Sequence, residues 1–258
     1  MEQYLAQLPA LLLVSCRMGG LVTASPVFNN KFMPAQSRVA FTFLLAILLW
    51  PAVKVSPAAA GTAGLLVGCV LELLVGLLLG FMSLLVFATL QMAGAWLDLD
   101  MGFSMAQVLD PTTGVVEPLL GTFFNTFGLV LYLTTNGHHL LIRALATSYD
   151  NIPAGGLLLQ LDSSLRVVNL FSSFLSAAIQ MVLPFMAVML LMTVALAGIN
   201  RAMPQFNVFS LGLGMKAIVG IAMMIVLMPY LLGFLEALFQ GGHAQMLETL
   251  KLFAVPPS

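Results

Sequence analysis

The sequence predicts an all-α integral membrane protein, and two observations carry that expectation. Hydrophobic residues make up 60% of the 258 and charged residues only 7%, with a mean hydropathy of +1.05, whereas soluble domains carry about 25% charged residues. The apolar residues also gather into runs of helical length, and no stretch has the composition of an independent water-soluble domain. Residues 1–258 therefore read as one membrane unit. A net charge of −1 and a pI near 6.3 leave no basic patch, which removes nucleic acid as a partner.

The first run, residues 5–24, follows Glu2 rather than a basic segment and contains Arg17, so it reads as a retained helix and not as a cleaved signal. Runs at 39–51 and 119–133 are short, reaching only about 20 Å as helices against about 30 Å for a bilayer core. Runs at 65–91 and 167–199 are long enough to overshoot or break, and Pro184 marks a site for a kink or hairpin bend in the second of them. The last run is 218–239. Short and broken helices are tolerated where protein rather than lipid covers their free backbone groups.

Turns are signalled at Ser25-Pro26, at 51–57, at Asp110-Pro111-Thr112-Thr113-Gly114, at Asn136-Gly137 and at Asn151-Ile152-Pro153. Residues 143–166 are mixed in charge and amphipathic, as expected at an interface or outside the membrane. Arg201 and Lys216 bracket the connection before the last helix, which favours a cytoplasmic face for it.

No Lys or Arg occurs between Lys54 and Arg143, yet Glu72, Asp98, Asp100, Asp110 and Glu117 lie there. Four of these acids fall in the segment 98–118, which reads as an anionic loop facing water, a pore or a partner. Glu72 lies instead in a stripe of Ala60, Gly64, Gly68, Gly76 and Gly80 at spacing four, a slowly winding face that lets helix backbones approach. An acid there should meet another helix. It reads either as a structural carboxyl within a helix contact or as a proton-responsive or subunit-locking acid.

The remaining chemistry is sparse. His138-His139 cannot share one ion easily, because adjacent helical side chains diverge by about 100°; they read as a helix-end pair, and His243 as a tail residue. Cys16 and Cys69 behave as small apolar residues, so neither a metal site nor a disulfide is expected. GxSxG, HExxH, P-loop and Rossmann patterns are lacking, and no cofactor or catalytic residue is indicated. The stretch 200–216 mixes amides, aromatics and glycines and suits either a plain turn or a partner contact.

One ordered set of residues runs nearly end to end along the chain. It comprises Ser25-Pro26-Val27-Phe28, Met33-Pro34 and Arg38, then Glu72, Gly76 and Gly80, then Met101-Gly102-Phe103-Ser104 with Asp110-Pro111. Asn136-Gly137-His138-His139, Ser148 to Pro153, and Arg201, Pro204, Gln205, Asn207, Val208 and Phe209 follow. This set resembles the FliR family, export-gate subunits of the bacterial flagellar type III secretion system. Gly214 stands where that pattern leads one to expect proline, which would loosen the loop locally.

The resemblance implies helical membrane hairpins, with residues 1–165 FliP-like and 166–258 a FliQ-like helical hairpin and tail. It implies co-assembly with FliP-like and FliQ-like subunits, docking of a larger FlhB-like or FlhA-like export subunit, and contact with lipid and with unfolded export substrates. The location implied is the bacterial inner membrane at the flagellar basal body. A pore plug maps onto the segment 106–121, with Ala106, Gln107, Asp110, Pro111, Gly114 and Glu117 as its residues and Phe103 just before it. Helix packing maps onto Gly68, Glu72, Gly76 and Gly80, and a cytoplasmic-side contact onto Arg201, Pro204, Gln205, Asn207, Phe209 and Lys216. Virulence secretion subunits share the pattern. A secondary transporter, with Glu72 as coupling acid and Pro184 breaking a substrate-site helix, is the alternative from another class, although no inverted repeat is visible. A purely structural membrane anchor is a third.

Overall fold

A computed structural model describes residues 8–30, 33–53, 61–104, 118–156, 163–203, 205 and 208–252. Among them are eight α-helices: α1 (Leu8–Ala24), α2 (Ala35–Leu49), α3 (Gly61–Met101), α4 (Leu119–Thr134), α5 (Gly137–Asn151), α6 (Ser163–Ala202), α7 (Val208–Val226) and α8 (Met228–Leu252). A short 3-10 turn, Trp50–Ala52, closes α2. The all-α expectation holds.

Two compact units divide the chain, Met1–Val86 with Tyr132–Phe171 and Phe239–Ser258, and Phe87–Leu131 with Ser172–Leu238. In the first, Leu13, Val14, Met18 and Leu21 of α1 pack in a core with Val75, Leu79 and Met82 of α3 and Leu141, Ala144 and Leu145 of α5. In each helix the spacing of three and four puts these residues on one face. In the second, Leu90, Ala93 and Leu97 of α3, Phe124 of α4 and Phe185 and Met189 of α6 form the core.

The long runs do not break where the sequence suggested. Helix α3 continues unbroken for 41 residues and α6 for 40, about 60 Å each at 1.5 Å per residue. Pro184 lies inside α6 without turning it into a hairpin. The break falls instead in the last run, where α7 and α8 meet at 65° around Leu227. Pro229, second residue of α8, has no N–H to lose there.

Among the described residues two helices are long and apolar enough to cross a membrane, or three spans if the bent α7–α8 pair counts as one, and the surroundings of the two differ. The most apolar part of α3 is 61% buried within this chain, whereas that of the 168–202 segment is only 17% buried. On α6 a single stripe of Phe174, Ala178, Met181, Val182, Phe185 and Met189 is covered. Leu183, Leu190, Leu191 and Val194 are open.

The turns follow the signals where the structure describes them. Asn136 takes the left-handed conformation at φ 59° between α4 and α5, which asparagine tolerates better than most residues. Ser25 and Pro26 end α1, and the Ser25 and Ser83 hydroxyls lie 3.1 Å apart in the interior. Helix α5 is amphipathic as its composition suggested, with Leu141, Ala144, Leu145, Ser148 and Tyr149 buried.

Two sequence expectations for loops are corrected. Asp98 and Asp100 are not in a loop, because α3 runs on to Met101 and Leu97, Asp98 and Met101 share its buried face. The stretch 200–216 is mostly helical, since α6 ends at Ala202 and α7 starts at Val208. Gly214 is therefore an exposed residue within α7 and loosens no loop.

Candidate functional site

Glu72 and Arg17 form a closed polar cluster inside the first unit. Helix α1 presents Arg17 from the same face as Leu13, Val14 and Leu21, and α3 presents Glu72 one turn before Gly76. The pair is bidentate, with Arg17 Nε donating to Glu72 Oε2 at 2.6 Å and Nη2 to Oε1 at 2.8 Å. The two side chains are 0% and 1% exposed. A planar guanidinium meeting a carboxylate through two parallel bonds is the strongest geometry such a pair can adopt.

The rest of the cluster comes from α5 and the turn after it. Arg17 Nη1 donates to Ser148 Oγ at 2.7 Å, and that hydroxyl donates in turn to the Leu145 carbonyl at 2.6 Å. Nη2 also reaches the Ile152 carbonyl at 3.0 Å. Gly155 N–H donates to Glu72 Oε1 at 2.8 Å. Its φ of +81° suits glycine alone, and the Gly156 N–H to Pro153 carbonyl bond at 2.9 Å closes that turn.

The Tyr149 ring lies 3.9 Å from the guanidinium carbon, adding a cation–π contact. Burial pushes the Tyr149 phenol well above its ordinary range, only partly offset by Arg17, so a neutral ring faces the cation. Buried charges of this kind persist only when they are paired and hydrogen-bonded. Here each guanidinium nitrogen and each carboxylate oxygen has a protein partner, and the cluster clamps α1, α3 and α5 together.

The glycines next to Glu72 explain how α1 comes so close. A Cβ on Gly76 would overlap the Arg17 carbonyl, and one on Gly80 would lie 2.5 Å from the Ala24 Cβ. From the other side, a Cβ on Gly20 would lie 2.6 Å from the Leu73 carbonyl oxygen. The stripe thus meets α1 of this same chain in backbone contact. Gly68 is buried on the same face, Gly64 is half-buried, and Ala60 lies outside the described residues.

The other expected site residues are dispersed. Phe103 is half-buried just past α3, while Ala106, Gln107, Asp110, Pro111, Gly114 and Glu117 lie outside the described residues. Arg201 is exposed in the last turn of α6 and Gln205 is exposed in the turn after it. Phe209 is in the first turn of α7, Lys216 is half-buried further along it, and Pro204 and Asn207 are not described. The His138 and His139 rings lie with centroids 4.2 Å apart, tilted by 36°, at the start of α5. No group of three His, Cys, Asp or Glu among the described residues could hold a metal ion. The Cys16 and Cys69 thiols are free, one on α1 and one on α3.

Comparison with known proteins gives a consistent picture. The family described as bacterial export proteins, family 1, matches residues 8–242. The flagellar biosynthetic protein FliR of Bacillus subtilis (strain 168) is 32% identical over 250 residues, 96% of either chain. That of Escherichia coli (strain K12) is 28% identical over 238 residues, 92% of this chain and 91% of the other. The FliR protein of Aquifex aeolicus (strain VF5) is 26% identical over 221 residues, 85% of each.

Proposed function

This chain belongs to the FliR family of bacterial export proteins, and from that premise we propose that it is a non-enzymatic subunit of the flagellar protein-export gate. It is a membrane-embedded protein of flagellar biosynthesis. In the proposed role it forms part of the pore and its plug, through which unfolded flagellar subunits leave across the inner membrane at the basal body. The flagellar form is favoured over the virulence form because the relatives named above are flagellar.

The observation that carries the reading is the contrast between α3 and α6. A helix about 60 Å long outruns a bilayer core of about 30 Å, and α6 leaves most of its apolar surface uncovered by its own chain. Lipid can cover only part of that length. FliP-like and FliQ-like helices would cover the rest, and the residue ranges 1–165 and 166–258 would correspond to the two kinds of partner. Gly68, Glu72, Gly76 and Gly80 hold the helix packing of this subunit. Arg201, Pro204, Gln205, Asn207, Phe209 and Lys216 would face a larger FlhB-like or FlhA-like subunit on the cytoplasmic side.

The plug is assigned to Phe103, Ala106, Gln107, Asp110, Pro111, Gly114 and Glu117. Deleting Gln107–Gly114 is expected to leave assembly intact and to make the membrane leaky to small ions. Conductance of cells expressing the variant tests this. Unchanged conductance with normal assembly and normal secretion would remove the plug.

A further inference from the structure

The junction between α3 and α4 holds a carboxylate that the Arg17–Glu72 clamp does not use. Asp98, in the last turn of α3, is 1% exposed. Its Oδ2 accepts the Leu119 N–H at 2.9 Å and its Oδ1 accepts the Leu120 N–H at 3.1 Å. Leu119 and Leu120 open α4, and the first amides of a helix have no acceptor within it. A carboxylate there also meets the positive end of the helix dipole.

The residue that would ordinarily cap α4 cannot do so. Pro118 precedes Leu119, and its carbonyl accepts the Thr122 N–H at 2.9 Å, but its side chain has no oxygen to offer. The cap comes instead from 21 residues earlier. One turn away the two helices touch through backbone, since a Cβ on Gly94 would lie 2.5 Å from the Gly121 Cα and from the Leu120 carbonyl. Gly102, at φ +83°, ends α3 just beyond.

We propose that Asp98 is a positioning residue that ties the point where the chain leaves α3 to the point where it enters α4. It thereby fixes the last turn of α3 against the first turn of α4. The consequence for sealing rests on the plug reading above, whereas the tie itself rests on the two hydrogen bonds and the glycine contact. Asp98 acts through the first turn of α4, whose Leu119 and Leu120 amides it holds.

Hydrogen exchange of the detergent-extracted export complex tests the tie, and ion conductance of the same strains tests its purpose. With Asp98→Ala, the Leu119 and Leu120 amides are expected to exchange about ten-fold faster, the scale of a lost charged cap. Exchange in α1 and α5 should be unchanged, and the cells should leak ions. Asp98→Asn keeps one acceptor oxygen and should fall between the two. Unchanged exchange at Leu119 and Leu120 would overturn the proposal. So would faster exchange in an ion-tight Asp98→Ala strain when the Gln107–Gly114 deletion leaks. If Asp98→Ala does not assemble, Asp98→Asn decides, and parental exchange in it counts against the tie. An ion-tight deletion sinks the plug alone, and accelerated exchange then still supports the tie.

Discussion

Replacing Arg17 by methionine is expected to destabilise the chain by about 3–5 kcal/mol, the usual consequence of leaving one member of a buried ion pair uncompensated. Glu72 would keep only the Gly155 N–H as a partner in a site that is 1% exposed. Glu72→Leu should do comparable damage from the other side, because Arg17 would retain only Ser148, the Ile152 carbonyl and the Tyr149 ring. The double variant Arg17→Met/Glu72→Leu should recover most of the loss. Two apolar side chains of similar volume remove both desolvated charges at once. Thermal unfolding of the detergent-extracted protein, with membrane abundance beside it, measures all three. Single variants as stable as the parent, or a double variant worse than either, would contradict a structural clamp.

The second large effect is steric. Gly76→Leu should cost more than about 3 kcal/mol, beyond the usual range for overpacking, because the atoms in the way belong to backbone. A Cβ there would also lie 2.9 Å from the Arg17 carbonyl carbon and 3.0 Å from the Leu21 nitrogen. Helix α1 would have to withdraw, and Arg17 sits at the contact point, so the fork to Glu72 opens as well. The variant should fail to co-purify with partner subunits because its own first unit is disturbed. Gly233→Ala on α8 is the matched control, since nothing lies within 4 Å of its added Cβ. It should be neutral or slightly stabilising. Gly76→Leu chains that co-purify normally with their partners would remove the close packing of α1 on α3.

Much of this architecture was legible in the sequence. Composition and run length suffice for an all-α membrane chain, and Asn136-Gly137 and Asn151-Ile152-Pro153 announced turns that the structure contains. The glycine stripe pointed to a close helix contact. The partner of Glu72 was missed because it lies 55 residues away, beyond the reach of any local pattern. A signal was available: a single cation inside one apolar run and a single acid inside another are far cheaper to bury together than apart.

Asp98 was misplaced for a related reason. Aspartates at 98 and 100 look like the start of a loop, but a helix N-terminus from elsewhere satisfies the first of them. Periodicity cannot register a cap supplied across the fold. The two prolines show the same limit. Pro184 lies between Val182 and Phe185, both fully buried, and packing on either side holds the helix in line. Around Pro229, residues 221–230 include none that are buried, so nothing opposes the break.

That break limits how the C-terminal region can rearrange. Leu227 N–H donates to the Met223 carbonyl at 2.8 Å and its own carbonyl accepts from Leu231 at 2.9 Å, so Leu227 is bonded into both helices, while Pro229 has no N–H to offer the Ile225 carbonyl. Straightening would press the Pro229 ring against the Ile225 carbonyl without gaining a hydrogen bond. The last apolar run is therefore two helices bent by 65° at Leu227, each turning a different face to its neighbours.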